Sequence, residues 1–175
     1  MIFRSTPLAG VVEVLPERAR DARGAFFRGF CLAEFAASGL DFRPAQASFS
    51  ENPRRHTLRG LHWQAAPAGE SKLVRCVRGA VHDVALDLRP GSPTRGRHVA
   101  VTLSAKAGNA LFIPAGCAHG FLTLVDDTAL EYMMDVPFAP DLARGLRWND
   151  RAFAIPWPAE PAVISERDAS WPDHG

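Results

Sequence analysis

The fold is decided by the stretch GNALFIPAGCAHGF, residues 108–121. A short apolar run leads into a Pro-x-Gly turn, and a histidine follows three residues after the glycine. Pro114 fixes one backbone angle and Gly116 tolerates unusual ones, so the pair favours a tight turn between two strands. The stretch therefore predicts a strand, a turn, and His119 at the mouth of the next strand.

Turn-forming residues recur along the whole chain, which contains fourteen prolines and fourteen glycines without a fixed repeat. These residues separate short segments, a pattern typical of an all-β barrel or sandwich. One helix is predicted over residues 31–38, with Gly39 placed to end it. A turn is expected at 21–24, and irregular chain after Pro140. The predicted strands cover residues 6–15, 25–30, 45–50, 57–64, 72–78, 80–89, 98–103, 110–113, 120–124 and 130–135.

The strand predicted at 80–89 indicates a polar interior. One alternating set of its residues is Val81, Asp83, Ala85 and Asp87. Residues two apart share a face of a strand. A face that mixes acids with small residues is expected on a strand that lines a polar cavity inside a barrel.

The bulk composition restricts the class of protein. The 175 residues, 47% of them hydrophobic, are enough for a single domain over residues 1–175 with a real core. A net charge of +1 gives no whole-chain attraction to nucleic acid or to a membrane surface. Three cysteines without Cys-x-x-Cys spacing are predicted to be reduced and structural. With neither a signal-like segment nor a run of about 18 apolar residues, the protein is predicted to be soluble and cytoplasmic.

The hexapeptide RGLHWQ, residues 59–64, carries the first candidate chemistry. Period-two geometry places His62 and Gln64 on one face of a strand and Arg59 on the other, unless Gly60 allows a bulge. A structural histidine beside an unrelated arginine is an equally good interpretation of this hexapeptide alone.

Two further candidates belong to residue types that are rare in this chain. Lys72 is one of only two lysines, with Lys106, and it opens an apolar strand. Tyr132 is the only tyrosine in a chain with eleven phenylalanines. The simpler interpretations are a solvated lysine at a strand end and a half-buried tyrosine with a satisfied hydroxyl.

The spacing G-x5-P-x-G-x2-H in residues 108–119 resembles the second signature of the cupin barrel. Many cupins use that histidine with an earlier His-x-His…Glu to hold a metal. Here the earlier site reads His62-Trp63-Gln64, so a three-ligand set is not visible. A catalytic metal is therefore not expected.

Several ordered motifs resemble the dTDP-4-dehydrorhamnose 3,5-epimerase family over roughly residues 5–172: DARGAF, RGLHWQ, KLVRCVRGAVHDVALDLRPGSPT, LFIPAGCAHGFLTL and GLRWND. The resemblance implies a cupin-like jelly-roll barrel with short peripheral helices, acting as a homodimer. It also implies a nucleotide-diphosphate-linked 4-keto-6-deoxyhexose as the substrate, and no metal or other cofactor.

The resemblance also implies catalytic roles, position by position. His62 matches the general base, and Asp168 looks like the acid that orients it, with Asp83 as the second candidate. Lys72 matches the residue that stabilises an enolate, and Tyr132 matches the general acid on the opposite face of the sugar. Asp168 lies in a late segment, SERD, which matters only if that segment folds back on the barrel mouth.

Substrate contacts follow in the same way. Arg59 and His119 match residues around the sugar and the diphosphate. Arg23 and Phe26 resemble the part that reaches the nucleotide, often across the dimer. Gln46 belongs to the family's Gln-x-Asn-x-Ser.

Three positions depart from the family pattern. Ser48 replaces the asparagine of Gln-x-Asn-x-Ser, and Arg28 stands where an acid is usual. Phe138 stands where the family often has a second aromatic hydroxyl, which leaves open whether C3, C5 or both are inverted.

The alternatives at this point fall into three classes. One is a 3-epimerase or a 3,4-ketoisomerase on a related CDP-, GDP- or dTDP-sugar. Another is a non-catalytic cupin that binds a sugar or acts as a regulator. A metal-dependent cupin oxygenase is the third, and it lacks a visible ligand set.

Overall fold

The chain folds into two antiparallel sheets, a small hairpin and short helices. The structure, a computed structural model, describes residues 1–174. The strands are β1 (Ile2–Ser5), β2 (Val12–Leu15), β3 (Ala19–Asp21), β4 (Gly24–Phe26), β5 (Gln46–Asn52), β6 (Leu58–Gln64), β7 (Lys72–Arg78), β8 (Ala80–Asp87), β9 (His98–Ser104), β10 (Ala110–Ile113), β11 (Cys117–Thr123), β12 (Thr128–Met134) and β13 (Ala143–Gly145). The helices are α1 (Leu32–Ala37), α2 (Glu166–Ser170) and a 3-10 turn at Pro140–Leu142.

The core lies between the two sheets. One sheet has the strand order β1-β2-β10-β7-β12-β5, and the other has the order β13-β6-β11-β8-β9. A single apolar cluster draws buried residues from both sheets, for example Val74 and Leu130 from one and Val81 and Phe121 from the other. The predicted all-β, cupin-like fold with short helices is confirmed, in the form of two facing sheets. No helix within residues 1–174 is long and apolar enough to cross a membrane.

The alternation predicted along β8 is confirmed. Val81 and Ala85 pack in the core between the sheets, and Asp83, on the same face, is fully buried. Val84 and Leu86 point the other way, into a second cluster with the C-terminal segment. The polar set of β8 therefore faces the interior.

The prediction for the N-terminal region was wrong in detail. Residues 6–11 are not strand: they form a turn in which the Thr6 hydroxyl donates to the Val11 carbonyl at 2.8 Å. This turn joins β1 to β2, which pair with Ile2 opposite Leu15. The strand predicted at 25–30 ends at Phe26, because residues 19–26 close on themselves as the β3–β4 hairpin.

The region after Pro140 was also predicted wrongly as irregular. β13 adds to the edge of β6, and residues 166–170 form α2. Ser165 caps this helix, since its hydroxyl oxygen accepts the Asp168 N–H at 3.1 Å. These short elements carry no long apolar pattern, so only tertiary pairing identifies them.

A bulge at Gly60 settles which way the side chains of β6 face. Arg59 pairs with Phe121 and His62 with His119, so Gly60 and Leu61 together oppose a single residue of β11. The extra residue turns Arg59 to the same cavity as His62. The simple alternation, with Arg59 on the opposite face, does not apply.

Gly60 is required for the close approach of β6 and β11. Its φ is +111°, and an added Cβ would lie 2.5 Å from the Gly120 Cα and 2.6 Å from the His119 oxygen. We expect Gly60→Ala to lower the free energy of unfolding by about 3 kcal/mol, from backbone strain plus overpacking. Urea denaturation measures this change.

Gly39→Ala is the matched control, because Gly39 has a φ of +77° but open space around it. It should cost only about 1 kcal/mol. Equal losses in the two variants would mean that the contact with β11 does not constrain residue 60.

Candidate active site

A cavity of about 570 Å³ opens where the two sheets meet. Strands β6 and β11 of one sheet form one side, and β5, β7 and β12 of the other form the facing side. The segment after β12 and helix α2 close its rim. All the predicted site residues line it except Arg23 and Phe26, namely Gln46, Arg59, His62, Lys72, His119, Tyr132, Phe138 and Asp168.

His62 and Asp168 form a hydrogen-bonded pair on the β6 side. The His62 Nε2 atom lies 2.6 Å from Asp168 Oδ1, across 106 positions of sequence. Helix α2 brings Asp168 to this place, and the Gly60 N–H donates to its other oxygen at 3.2 Å. The carboxylate is 5% exposed, whereas His62 is half-buried and faces the cavity. Asp168 thus fixes the orientation of the imidazole through Nε2, and the other side of the ring is open to the cavity.

The protonation state of Asp168 follows from these contacts. Burial alone would raise the pKa of its carboxyl. The hydrogen bond to His62 and the backbone N–H of Gly60 outweigh burial and hold that pKa below its ordinary value. Asp168 therefore stays anionic beside the imidazole near neutral pH.

A second histidine–aspartate pair lies deeper in the cavity. His119 Nε2 is 2.8 Å from Asp83 Oδ1, and both residues are almost fully buried. His119 is the Cα partner of His62 across β11 and β6, so their side chains share a face. Asp83 thus contacts His119, and Asp168 is the acid that contacts His62.

Lys72 begins β7 and is only 6% exposed. Its Nζ lies 2.6 Å from Glu70 Oε1, and both side chains line the cavity. A buried ammonium at the first residue of a strand agrees with the functional interpretation of this lysine better than with a solvated strand end.

Tyr132 comes from β12, in the sheet that faces His62. Its ring meets the edge of the His119 ring at a centroid distance of 5.9 Å. Burial, with the charge of Asp83 adding to it, raises the pKa of the Tyr132 phenol well above its usual value. The phenol therefore stays protonated and is a hydrogen donor at every physiological pH.

Gln64, at the place of a cupin metal ligand, is fully occupied with backbone groups. Its amide nitrogen donates to the carbonyls of Ala68, at 2.6 Å, and Pro137, while its oxygen accepts the Ala139 N–H at 2.7 Å. It ties the loops at the cavity rim to β6. Within residues 1–174, no group of three His, Cys, Asp or Glu side chains is arranged to hold a metal ion.

The donor chemistry of the cavity predicts insensitivity to chelators. His62 and His119 are each engaged by a carboxylate, and the Gln64 amide is engaged by three backbone groups. We expect full turnover after exhaustive chelation, measured against an untreated sample. Activity that disappears with the chelator and returns with a divalent ion would contradict this expectation.

Arg23 and Phe26 lie away from the cavity. They belong to the β3–β4 hairpin, where the Arg23 side chain is 90% exposed and Phe26 is 80% exposed. Within the described residues, the side chain of Arg23 pairs only with Asp21 of its own hairpin.

Two charged residues of the cavity, Glu70 and Arg144, were not singled out from the sequence. Glu70 precedes β7, and Arg144 lies on β13, which the sequence did not predict. Arg167 was noted only as part of the SERD segment, and α2 places it beside Asp168 at the cavity. Glu70 lies two residues before Lys72, and that closeness was the one signal that pointed to it.

Comparisons with known proteins agree with this geometry. A family model described as dTDP-4-dehydrorhamnose 3,5-epimerase matches residues 5–174. The chain is similar to the dTDP-4-dehydrorhamnose 3,5-epimerase of Sinorhizobium fredii, with 42% identity over 98% of this chain and 89% of that one.

Solved structures of 3,5-epimerases superimpose closely. That of the Bacillus anthracis dTDP-4-dehydrorhamnose 3,5-epimerase, with TDP and PPi bound, gives a TM-score of 0.96 at 33% identity, over 99% of each chain. That of the Legionella pneumophila dTDP-6-deoxy-D-glucose-3,5-epimerase, in complex with dTDP-4-keto-L-rhamnose, gives 0.91 at 32% identity, over 97% of this chain and 90% of that one.

Proposed function

The chain belongs to the dTDP-4-dehydrorhamnose 3,5-epimerase family, and we propose that it inverts C3 and C5 of dTDP-4-dehydro-6-deoxyglucose through an enolate. The observation that supports this most strongly is the composition of one cavity. It holds a histidine–carboxylate pair, a buried ammonium and a protonated phenol from the facing sheet.

His62 removes the proton next to the C4 ketone. Its Nε2 is held by Asp168, which leaves the other ring nitrogen as the acceptor. When the imidazole takes the proton, the anionic Asp168 stabilises the resulting charge. A positioned base and acid contribute about 10²–10⁴-fold, so part of the barrier is lowered elsewhere.

Lys72 stabilises the charge that develops on the C4 oxygen. A fixed ammonium in a water-poor cavity is effective because it needs no rearrangement during the reaction. His119, held by Asp83 in the same cavity, is placed to donate a further hydrogen bond to the sugar.

Tyr132 supplies the proton on the other face of the enolate. It belongs to the sheet that faces β6, and its raised pKa keeps its proton available. Removal from one side and return from the other is what inverts a carbon.

The rim of the cavity suits a diphosphate. Arg59, Arg144 and Arg167 line it, and none of them forms an ion pair with a carboxylate within residues 1–174. Guanidinium groups pair bidentately with phosphate oxygens. We assign this arginine group to the diphosphate of the substrate, with Gln46 and Phe138 at its edge.

We also propose that residues 1–175 form one domain that works as a homodimer. The exposed Arg23 and Phe26 would then reach the nucleotide in the cavity of a second copy. Light scattering tests the dimer. If Arg23→Ala raises KM for the nucleotide sugar without changing kcat, this would support a contact of Arg23 with the nucleotide bound by the second copy.

A reducing compartment such as the cytoplasm fits the cysteines. All three are free, and Cys76 and Cys117 are buried. Burial raises the pKa of the Cys117 thiol to about 12, so this group is unreactive.

Product analysis separates the proposed reaction from the second candidate, inversion at C3 alone. Phe138 favours that candidate, since it is 58% exposed at the rim and provides no hydroxyl. The product of dTDP-4-keto-6-deoxyglucose is trapped by borohydride and hydrolysed. An L-sugar shows inversion at C5, whereas a D-sugar with inverted C3 shows the single inversion.

NMR of the product before reduction tests the remaining alternatives, because borohydride would remove a ketone at either position. A 3-keto product would indicate a 3,4-ketoisomerase. Binding without any product would indicate a sugar-binding cupin and would contradict the proposed reaction.

A further inference from the structure

Besides Asp168, a second carboxylate, Glu70, lines the cavity, and within residues 1–174 its one side-chain partner is Lys72. The Glu70 Oε1 atom is 2.6 Å from Lys72 Nζ, and the two side chains are 12% and 8% exposed. Neither side chain makes another hydrogen bond or ion pair within the described part of the chain. The pair is therefore isolated as well as largely removed from water.

The neighbouring carboxylates Asp168 and Asp83 are bonded to groups other than Lys72. Asp168 is held by His62 and the Gly60 N–H, and Asp83 contacts His119. Glu70 is thus the one counter-charge in contact with the Lys72 ammonium within residues 1–174.

A buried ammonium without a counter-charge is strongly disfavoured in a low-dielectric site. Such a group tends to turn toward water, and a carboxylate at hydrogen-bond distance holds it in the cavity instead. An ammonium has three N–H donors, so one bond to Glu70 leaves two for a substrate oxygen.

We propose that Glu70 is a positioning residue, which holds the Lys72 ammonium in place and directed at the C4 oxygen of the substrate. This inference rests on the proposed function, in which Lys72 stabilises the enolate. It adds an acid that acts through Lys72 and has no contact of its own with the reacting carbons.

The scarcity of lysine allows a direct test that does not depend on catalysis. Protein labelled with ¹⁵N-lysine contains only two side-chain ammonium groups, Lys72 and the exposed Lys106. We expect a distinct, slowly exchanging Lys72 signal, assigned with Lys106→Arg. It should disappear in Glu70→Ala and persist in Glu160→Ala, which removes an exposed acid outside the cavity. A Lys72 signal unchanged in Glu70→Ala would overturn the proposal.

Kinetics supply the second readout. Misplacing a catalytic group by about 1 Å can cost about 100-fold. We expect Glu70→Ala to lower kcat by about 10- to 100-fold with little change in KM. Glu70→Gln, which keeps the shape and an acceptor oxygen without the charge, should be intermediate, and it replaces Glu70→Ala if that variant does not fold. An unchanged kcat in both would contradict the role of Glu70.

The turnover assay and the ammonium signal test different claims, so the failure of one does not imply the failure of the other. A wild-type protein that does not turn over the 4-keto sugar would refute the proposed function. The ammonium signal would still decide whether Glu70 holds Lys72.

Discussion

Replacing His62 by alanine is expected to abolish both epimerisation and solvent exchange at every sugar carbon. His62 is the base in the proposed reaction, its Nε2 lies 2.6 Å from Asp168 Oδ1, and proton abstraction is the first step of that reaction. The loss should approach the full contribution of a positioned base, about 10²–10⁴-fold. Exchange of sugar hydrogens in D₂O, followed by NMR, measures abstraction apart from inversion.

His98→Ala is the control, because His98 lies on the edge strand β9 and does not line the cavity. It should leave both rates at the wild-type value. Residual exchange in His62→Ala within about tenfold of wild type would mean that another residue removes the proton.

Tyr132→Phe is expected to separate abstraction from inversion. The variant keeps the ring that packs against His119, so the cavity should retain its shape. The His62–Asp168 and Lys72–Glu70 pairs are untouched, and the enolate should therefore still form. The donor on the facing sheet is lost, so inversion should fall by about 10²-fold or more while exchange stays within about tenfold.

A single experiment shows whether Tyr132→Phe slows inversion more than exchange. In D₂O, deuterium should enter unreacted substrate faster than epimer accumulates. Phe138 has no hydroxyl and cannot act as a substitute donor. If exchange and inversion fall by the same factor, Tyr132 serves enolisation or packing, and the assignment of opposite faces is wrong.

Much of the fold was predictable because its strands are punctuated by turn residues. The segment 108–121 predicted the turn that joins β10 to β11, a strand of the other sheet that carries His119. The alternation along 80–89 placed Asp83 on the interior face. What was missed depends on tertiary pairing: β13 is three residues long and exists only as an edge partner of β6. The turn at residues 6–11 is closed by the Thr6 side chain, a local bond that a strand pattern does not indicate.

The site residues divide in the same way, into those that the sequence predicted and those that depend on tertiary structure. His62, Lys72 and Tyr132 were found from their residue types and from the family resemblance. The inclusion of Arg59 in the cavity required a bulge at Gly60, which the sequence allowed without requiring. Arg144 was missed because β13 has no periodic pattern, and Arg167 was seen only as part of a late segment whose position the sequence left open. Arg23 and Phe26 stay a prediction, since a single chain leaves them on the outside.

Position-resolved deuterium incorporation tests the central claim most directly. The protein is incubated with dTDP-4-keto-6-deoxyglucose in D₂O, and the inverted product is examined by NMR at C3 and at C5. A two-faced cavity with one base and one opposing donor predicts deuterium at both carbons, each with inverted configuration. Deuterium at only one carbon, or an inverted product that retains its original hydrogens, would contradict the account.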